Sequence, residues 1–119
     1  IRFNINKINE LISLHEEELA NPILEYIYNR DDLQLIGKNK IKNKNRAPTI
    51  SFTSKKISSK EFSKKLVKNY IATRNDNFYA WRCLQALGIN TDDGVIRISM
   101  AHYNSIDERD RLIKALNKI

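Results

Sequence analysis

Five residues near the end of the chain, Val95-Ile96-Arg97-Ile98-Ser99, carry one cation in an apolar, β-prone run. In a strand, successive side chains face opposite sides. Ile96, Ile98 and Met100 therefore share one face, and Val95, Arg97 and Ser99 share the other. A register slip of one residue would exchange the two sets and bury the guanidinium. The isoleucines must face the core, so Arg97 is expected on the open face of a sheet whose helices cover the opposite face. A cation held in an apolar strand is costly unless it meets an anion. The sequence thus asks for a carboxylate or phosphate near Arg97, on a ligand or on a neighbouring domain.

The remaining elements follow from periodicity and punctuation. Asn4 to Tyr28 carries a helical apolar period through Ile5, Ile8, Ile12, Leu19, Ile23 and Ile27. Pro22 lies inside it and is expected to kink the helix or mark a restart. Asn29 to Asp32 reads as a turn, and Leu33 to Ile36 as a short strand stopped by Gly37. Thr49 to Thr53 alternates as a second strand, with Ile50 and Phe52 facing a core. Ser58 and Glu61 fit a capping box that opens a helix burying Phe62, Leu66 and Val67 and ending near Tyr70. Ile71 to Thr73 is a short extended piece. Tyr79 to Leu87 is expected to be a helix closed by Gly88, and Asp92-Asp93-Gly94 a turn. The last helix begins near Asn104 or Ser105 and buries Ile106, Ile113 and Leu116. The fold class is α+β, with a small, mainly antiparallel three-stranded sheet and helices packed on one face.

The 119 residues fit one domain, and an apolar fraction of 41% suffices for one core. No apolar run approaches the roughly 20 residues of a membrane helix, and no signal peptide is visible. A single cysteine, Cys83, excludes an internal disulfide and suits a reducing, cytoplasmic setting. So few Cys and His do not make a structural zinc site. The chain begins at Ile1 rather than Met, which leads us to expect a piece of something longer. The net charge of +7 raises the question of an anionic partner. Much of that charge lies in Lys38 to Arg46, read as a solvated, mobile loop. The run lacks the interleaved aromatics that stack nucleic-acid bases, so nucleic acid is not the expected partner.

Several segments together resemble the C-terminal small domain of class V aminotransferases, the fold type I pyridoxal-phosphate enzymes, in their cysteine desulfurase-like branch. They are His15-Glu16 with ELANPILEYI, Ala47 to Phe52, Tyr79-Ala80-Trp81-Arg82, Leu87-Gly88-Ile89, and above all Ile96-Arg97-Ile98-Ser99 with Tyr103-Asn104-Ser105 and the helix beginning at Glu108. The resemblance implies that residues 1–119 are the small domain of a larger enzyme. It implies an amino-acid substrate, the enzyme's own large domain as partner, and a homodimer at full length. Pyridoxal phosphate would be bound by the absent large domain. Arg97 matches the strand arginine that grips the substrate's α-carboxylate, in keeping with the paired bonds a guanidinium gives a carboxylate. Arg74 matches a second arginine, just before the loop that reaches over the active site. His102, close to the Arg97 strand, is the third candidate substrate-binding residue, although a structural histidine would also fit there. No catalytic, cofactor-binding or metal-binding residue is expected in this chain.

The departures matter as much. Cysteine desulfurases carry a pattern like Arg-x-Gly-His-His-Cys on that loop; this chain reads Arg74-Asn75-Asp76-Asn77-Phe78-Tyr79. Tyr79 stands in the nucleophile's place, and the Gly and both His are missing. Cys83 is read as a small apolar filler of its helix. Trp81 and Phe78 are assigned to the core or a domain interface, Tyr103 to packing, Asn104 to a helix cap, and His15 to a bond with a backbone or carboxylate group. No Ser-x-His-Lys-like motif or Gly-rich phosphate cradle is present. The alternative reading is a free-standing basic binding module that keeps the fold without enzyme activity.

Overall fold

Alternation in Thr49–Ser54 (β2) and Val95–Ser99 (β4) makes these strands the centre of the sheet. They pair antiparallel, with Ile50 opposite Ile98 and Phe52 opposite Ile96, and all four side chains are buried. The computed structural model describes residues 2–42 and 44–119. The other elements are α1 (Arg2–Tyr28), β1 (Leu33–Ile36), α2 (Ser59–Val67), β3 (Arg74–Asp76), α3 (Trp81–Ala86) and α4 (Ile106–Leu116). The strand order is β1-β2-β4-β3, antiparallel throughout. The sheet therefore has four strands rather than the expected three. Arg74-Asn75-Asp76 has no β-prone composition of its own; it is a strand because β4 supplies the ladder.

The α+β layering is as expected. Leu19, Ile23 and Ile27 of α1, with Ala20 and Leu24, are buried; Phe62 and Leu66 of α2 lie in the same core as Ile50, Phe52 and Ile96. Phe52 and Phe62 meet edge to face with centroids 5.3 Å apart, a favoured aromatic geometry. Val67, expected inside, is exposed one residue beyond the buried stripe. In α4 the buried stripe is Leu112, Ala115 and Leu116. Ile106, expected to be buried, is exposed, and Ile113 is partly buried. Positions 106, 109 and 113 form the neighbouring row, whose middle member Arg109 reaches across to α1.

That reach explains why α1 is unbroken at Pro22. A proline lacks the N–H that would bond the carbonyl four residues back, here that of Glu18. Arg109 Nη1 donates to this carbonyl at 3.3 Å instead. The N-terminal half of α1 has no such partner. Ile5, Ile8, Leu11 and Leu14 are all exposed, so the apolar period seen in the sequence is only half buried. Among the described residues no helix is long and apolar enough to cross a membrane.

The lysines of the basic loop are exposed, and the loop is tied down at Ile41 and Arg46. Ile41 is a buried peg in the core. The Asn21 side chain accepts from the Ile41 N–H at 2.7 Å and donates to its carbonyl at 3.2 Å. Arg46 closes the loop by donating to the carbonyls of Lys38 and Thr49.

The helix ends obey local rules with one exception. Ser105 and Glu108 form the reciprocal capping box at α4. Ser58 accepts from the Glu61 N–H, but the return bond of a capping box is not present, so the α2 box is half made. The N–H groups of Gly88 and Ile89 bond the carbonyls of Gln85 and Leu84, the paired bonds of a Schellman ending. The helix so closed is shorter than Tyr79 to Leu87 because Phe78 and Tyr79 adopt positive φ (52° and 60°).

Gly94, at the entry to β4, has φ +68°, and a Cβ there would lie 2.3 Å from the Asp76 carbonyl carbon and oxygen. Gly94→Ala should therefore lower stability by at least the roughly 1–2 kcal/mol of a left-handed L-residue, read as a lower urea midpoint. A midpoint within error of the parent would show that β3 and its turn give way freely. Arg30 donates to both carboxylate oxygens of Asp32 and to the Leu116 carbonyl, joining the ends of α1 and α4. Arg30, and Lys56 after it, hold the Asp32 carboxyl well below its usual range. Such a group stabilises the fold above the unfolded carboxylate pKa of about 3.9, and that share is lost as pH falls further. The drop in urea midpoint from pH 7 to pH 3 should be smaller in Asp32→Asn than in the parent. An equal drop in both would remove Asp32 from the acid response.

Candidate functional site

Register builds the site. Ser51 and Arg97 are partners across β2 and β4, and Arg74 and Arg97 across β3 and β4. Directly opposite residues share a face, so Arg74 and Arg97 stand side by side on the face away from the helices. Arg97 is half-buried and Arg74 exposed. Two like charges opposite each other destabilise a sheet, and among the described residues neither arginine has a salt-bridge partner. The expected placement of Arg97 on the open face is therefore met, and the structure brings Arg74 to it.

The Arg97 guanidinium lies over the Phe78 ring, with Cζ 4.0 Å from the centroid. That is well inside the distance at which a ring face attracts a cation. Its Nε is buried and has no hydrogen-bond partner among the described residues. A buried donor left unpaired costs about 1–3 kcal/mol, a cost that the contact with the Phe78 ring helps to offset. Phe78 is thus neither a core residue nor a free surface one. Sequence reasoning missed it because no periodicity marks a loop residue that folds back over a strand.

The Phe78 loop is built by its neighbours. Tyr79 N–H donates to the Asn77 side-chain oxygen at 3.0 Å, and Asn77 Nδ2 donates to the Thr91 carbonyl at 3.3 Å. Gly94 packs against the backbone of Asp76 and Asn77. The loop thus leaves β3 and is tied to the segment that enters β4.

The third candidate is not brought in. His102 is exposed in the turn after β4 and meets the Tyr103 ring edge-on, with centroids 5.5 Å apart. No hydrogen bond or ring contact joins it to Arg97 or Arg74 among the described residues. Tyr103 is exposed rather than packed. Asn104 is not the cap: its side-chain oxygen accepts from Ala101 N–H at 2.8 Å and closes the turn. Its carbonyl accepts from His15 Nε2 at 2.8 Å, which makes His15 a clamp between α1 and that turn, as expected of it. Trp81 is exposed, not in the core. Cys83 is also exposed, which overturns its reading as a buried filler; it lies on the outward side of a helix whose one buried residue is Leu84.

Helix N-termini are the ready sites for a phosphate-bearing group, and those of α2 and α4 are filled from within. The Asp93 carboxylate accepts from Ser59 N–H at the start of α2. Glu108 accepts from Ser105 N–H at the start of α4, a bond that holds its carboxyl below the usual range. No group of three His, Cys, Asp or Glu among the described residues could hold a metal. A cleft of about 250 Å³ lies between Tyr70 to Thr73 and the start of α4, but Arg97, Arg74 and His102 do not line it. The arginine pair lies outside that cleft.

Residues 3–112 match the aminotransferase class-V family. The aminotransferase-like protein FGM3 of Gibberella zeae is 29% identical over 111 residues, which cover 92% of this chain but 28% of FGM3. The apo cysteine desulfurase of Thermococcus onnurineus NA1 superposes with a TM-score of 0.77 at 23% identity, over 90% of this chain and 25% of that one. The cysteine desulfurase CsdA of Escherichia coli gives 0.69 at 21% identity, over 87% and 24%. The chain therefore spans 28% of the curated relative's length, and the structural likenesses show a shared fold. Exposed Cys83 should react at once with a thiol reagent such as dithionitrobenzoate in native buffer; a reaction that waits for denaturant would return it to the interior.

Proposed function

The chain belongs to the aminotransferase class-V family, and on that premise we propose that it is the small, substrate-gripping domain of a pyridoxal-phosphate enzyme acting on an amino acid. Arg97 takes the substrate's α-carboxylate. The observation that carries this reading is a strand-mounted guanidinium whose terminal nitrogens make no hydrogen bond or salt bridge among the described residues, with a second arginine and no acid beside it. A fork that forms two parallel charge-assisted bonds fixes both the position and the plane of a carboxylate. That orientation turns binding energy into alignment of the reacting carbon. Arg74, exposed on the neighbouring strand, raises the local positive potential and draws the acid in.

The cofactor is assigned to the rest of the full polypeptide, since the N-termini of α2 and α4 are already filled. The exposed row Ile5, Ile8, Leu11 and Leu14 is assigned to packing against that same polypeptide. Desulfuration by the cysteine route does not suit this loop: Tyr79 occupies the nucleophile's place, and Cys83 lies on α3 beyond it.

In the full polypeptide loaded with pyridoxal phosphate, Arg97→Ala should raise KM for the amino acid tenfold or more. That follows from losing a charge-assisted pair of about 1.5–3 kcal/mol. His102→Ala should leave KM within about twofold, as a side chain away from the pair contributes no contact energy to it. An unchanged KM in Arg97→Ala would end the assignment.

A further inference from the structure

We infer that Phe78 is the positioning residue of the carboxylate site: its ring, laid on one face of the Arg97 guanidinium, fixes that plane so that the terminal nitrogens meet a carboxylate end-on. The inference rests on the reading of Arg97 as the carboxylate grip, and goes beyond it by assigning a second residue. An arginine side chain has many rotamers, and freezing them is a large part of the entropy lost on binding. Here the strand holds the backbone and the ring holds the plane, at 4.0 Å. Nε is sealed off, and neither Nη takes part in a hydrogen bond among the described residues. The end of the fork is therefore what remains to be offered.

The loop is shaped to deliver the ring. Phe78 and Tyr79 are consecutive non-glycine residues with positive φ, 52° and 60°, a conformation that L-residues adopt at a cost. It is held from three sides: the Asn77 side chain accepts the Tyr79 N–H, Asn77 bonds the Thr91 carbonyl, and Ala80 N–H bonds the Asn77 carbonyl. A loop that served only to connect β3 with α3 would have no use for this framework. The face of a phenyl ring attracts a cation and makes no hydrogen bond, so it orients the guanidinium without consuming its donors.

The test separates the ring's role from that of the arginine. In the 119-residue chain, the Arg97 Nε–Hε proton should be shifted upfield by the ring current, and the Nη protons should move on titration with acetate. In the full polypeptide loaded with pyridoxal phosphate, Phe78→Leu keeps bulk but removes the π face. It should raise KM about 3- to 30-fold, the range of a cation–π contact, and leave kcat within about twofold. Phe78→Tyr should restore the parental KM. If Arg97→Ala raises KM while Phe78→Leu does not, the ring has no positioning role and the Arg97 reading stands alone. If Arg97→Ala has no effect, both fall. Should Phe78→Leu fail to fold, the unsubstituted chain still decides: an Arg97 Hε proton at its ordinary position would overturn the inference.

Discussion

One constraint organises this domain: the period of two in β4. Burying Ile96 and Ile98 under α1 and α2 puts Arg97 on the other face, and no register that keeps the core can bury it there. β2 supplies Ile50 and Phe52 opposite those isoleucines, so the core ladder and the functional face are set by the same pairing. Everything near Arg97 is then a consequence of which strands lie alongside. β3 brings Arg74 to its side, and the loop leaving β3 lays Phe78 on it. The energetics differ between the two faces: one buries the apolar ladder of β2 and β4, while the other buries Val95 but also carries two cations without an acid, one donor sealed and unpaired.

Long-range polar contacts repair what local sequence leaves undone. The carbonyl orphaned by Pro22 is taken by Arg109 from α4, and the carbonyl of Leu116 by Arg30 from the end of α1. Each bond joins the two helices that flank the core. Asp93, far along the chain, satisfies the first N–H of α2. These partners also have a negative consequence. With the N-termini of α2 and α4 closed by the domain's own carboxylates, neither of these helices offers a vacant dipole end to a phosphate.

The site was partly legible in the sequence. Arg97 could be placed on the open face because alternation depends only on neighbouring residues. Arg74 could be matched by resemblance, but its position opposite Arg97 requires the β3–β4 register. His102 is exposed in the turn after β4, and no hydrogen bond or ring contact joins it to the arginine pair among the described residues. Cys83 was misjudged because Leu84 and Leu87 suggested an apolar stripe, yet a helix of two turns buries only Leu84 and turns the cysteine outward. Phe78 gave no local signal at all.

By itself the sequence determined the α+β class, the central strands and the core positions Ile50, Phe52, Ile96, Ile98, Phe62 and Leu66, because periodicity is a property of a few adjacent residues; the choice between Asn104 and Ser105 as cap it left open. Tertiary structure decided the fourth strand, the unbroken passage of α1 through Pro22, the anchoring of the basic loop by Ile41, and the stacking of Phe78 on Arg97. Each of those depends on a partner many residues away in the chain: a strand too short to form alone, a carbonyl with no local donor, an apolar peg amid lysines, a ring delivered by a loop. Only folding brings such partners together.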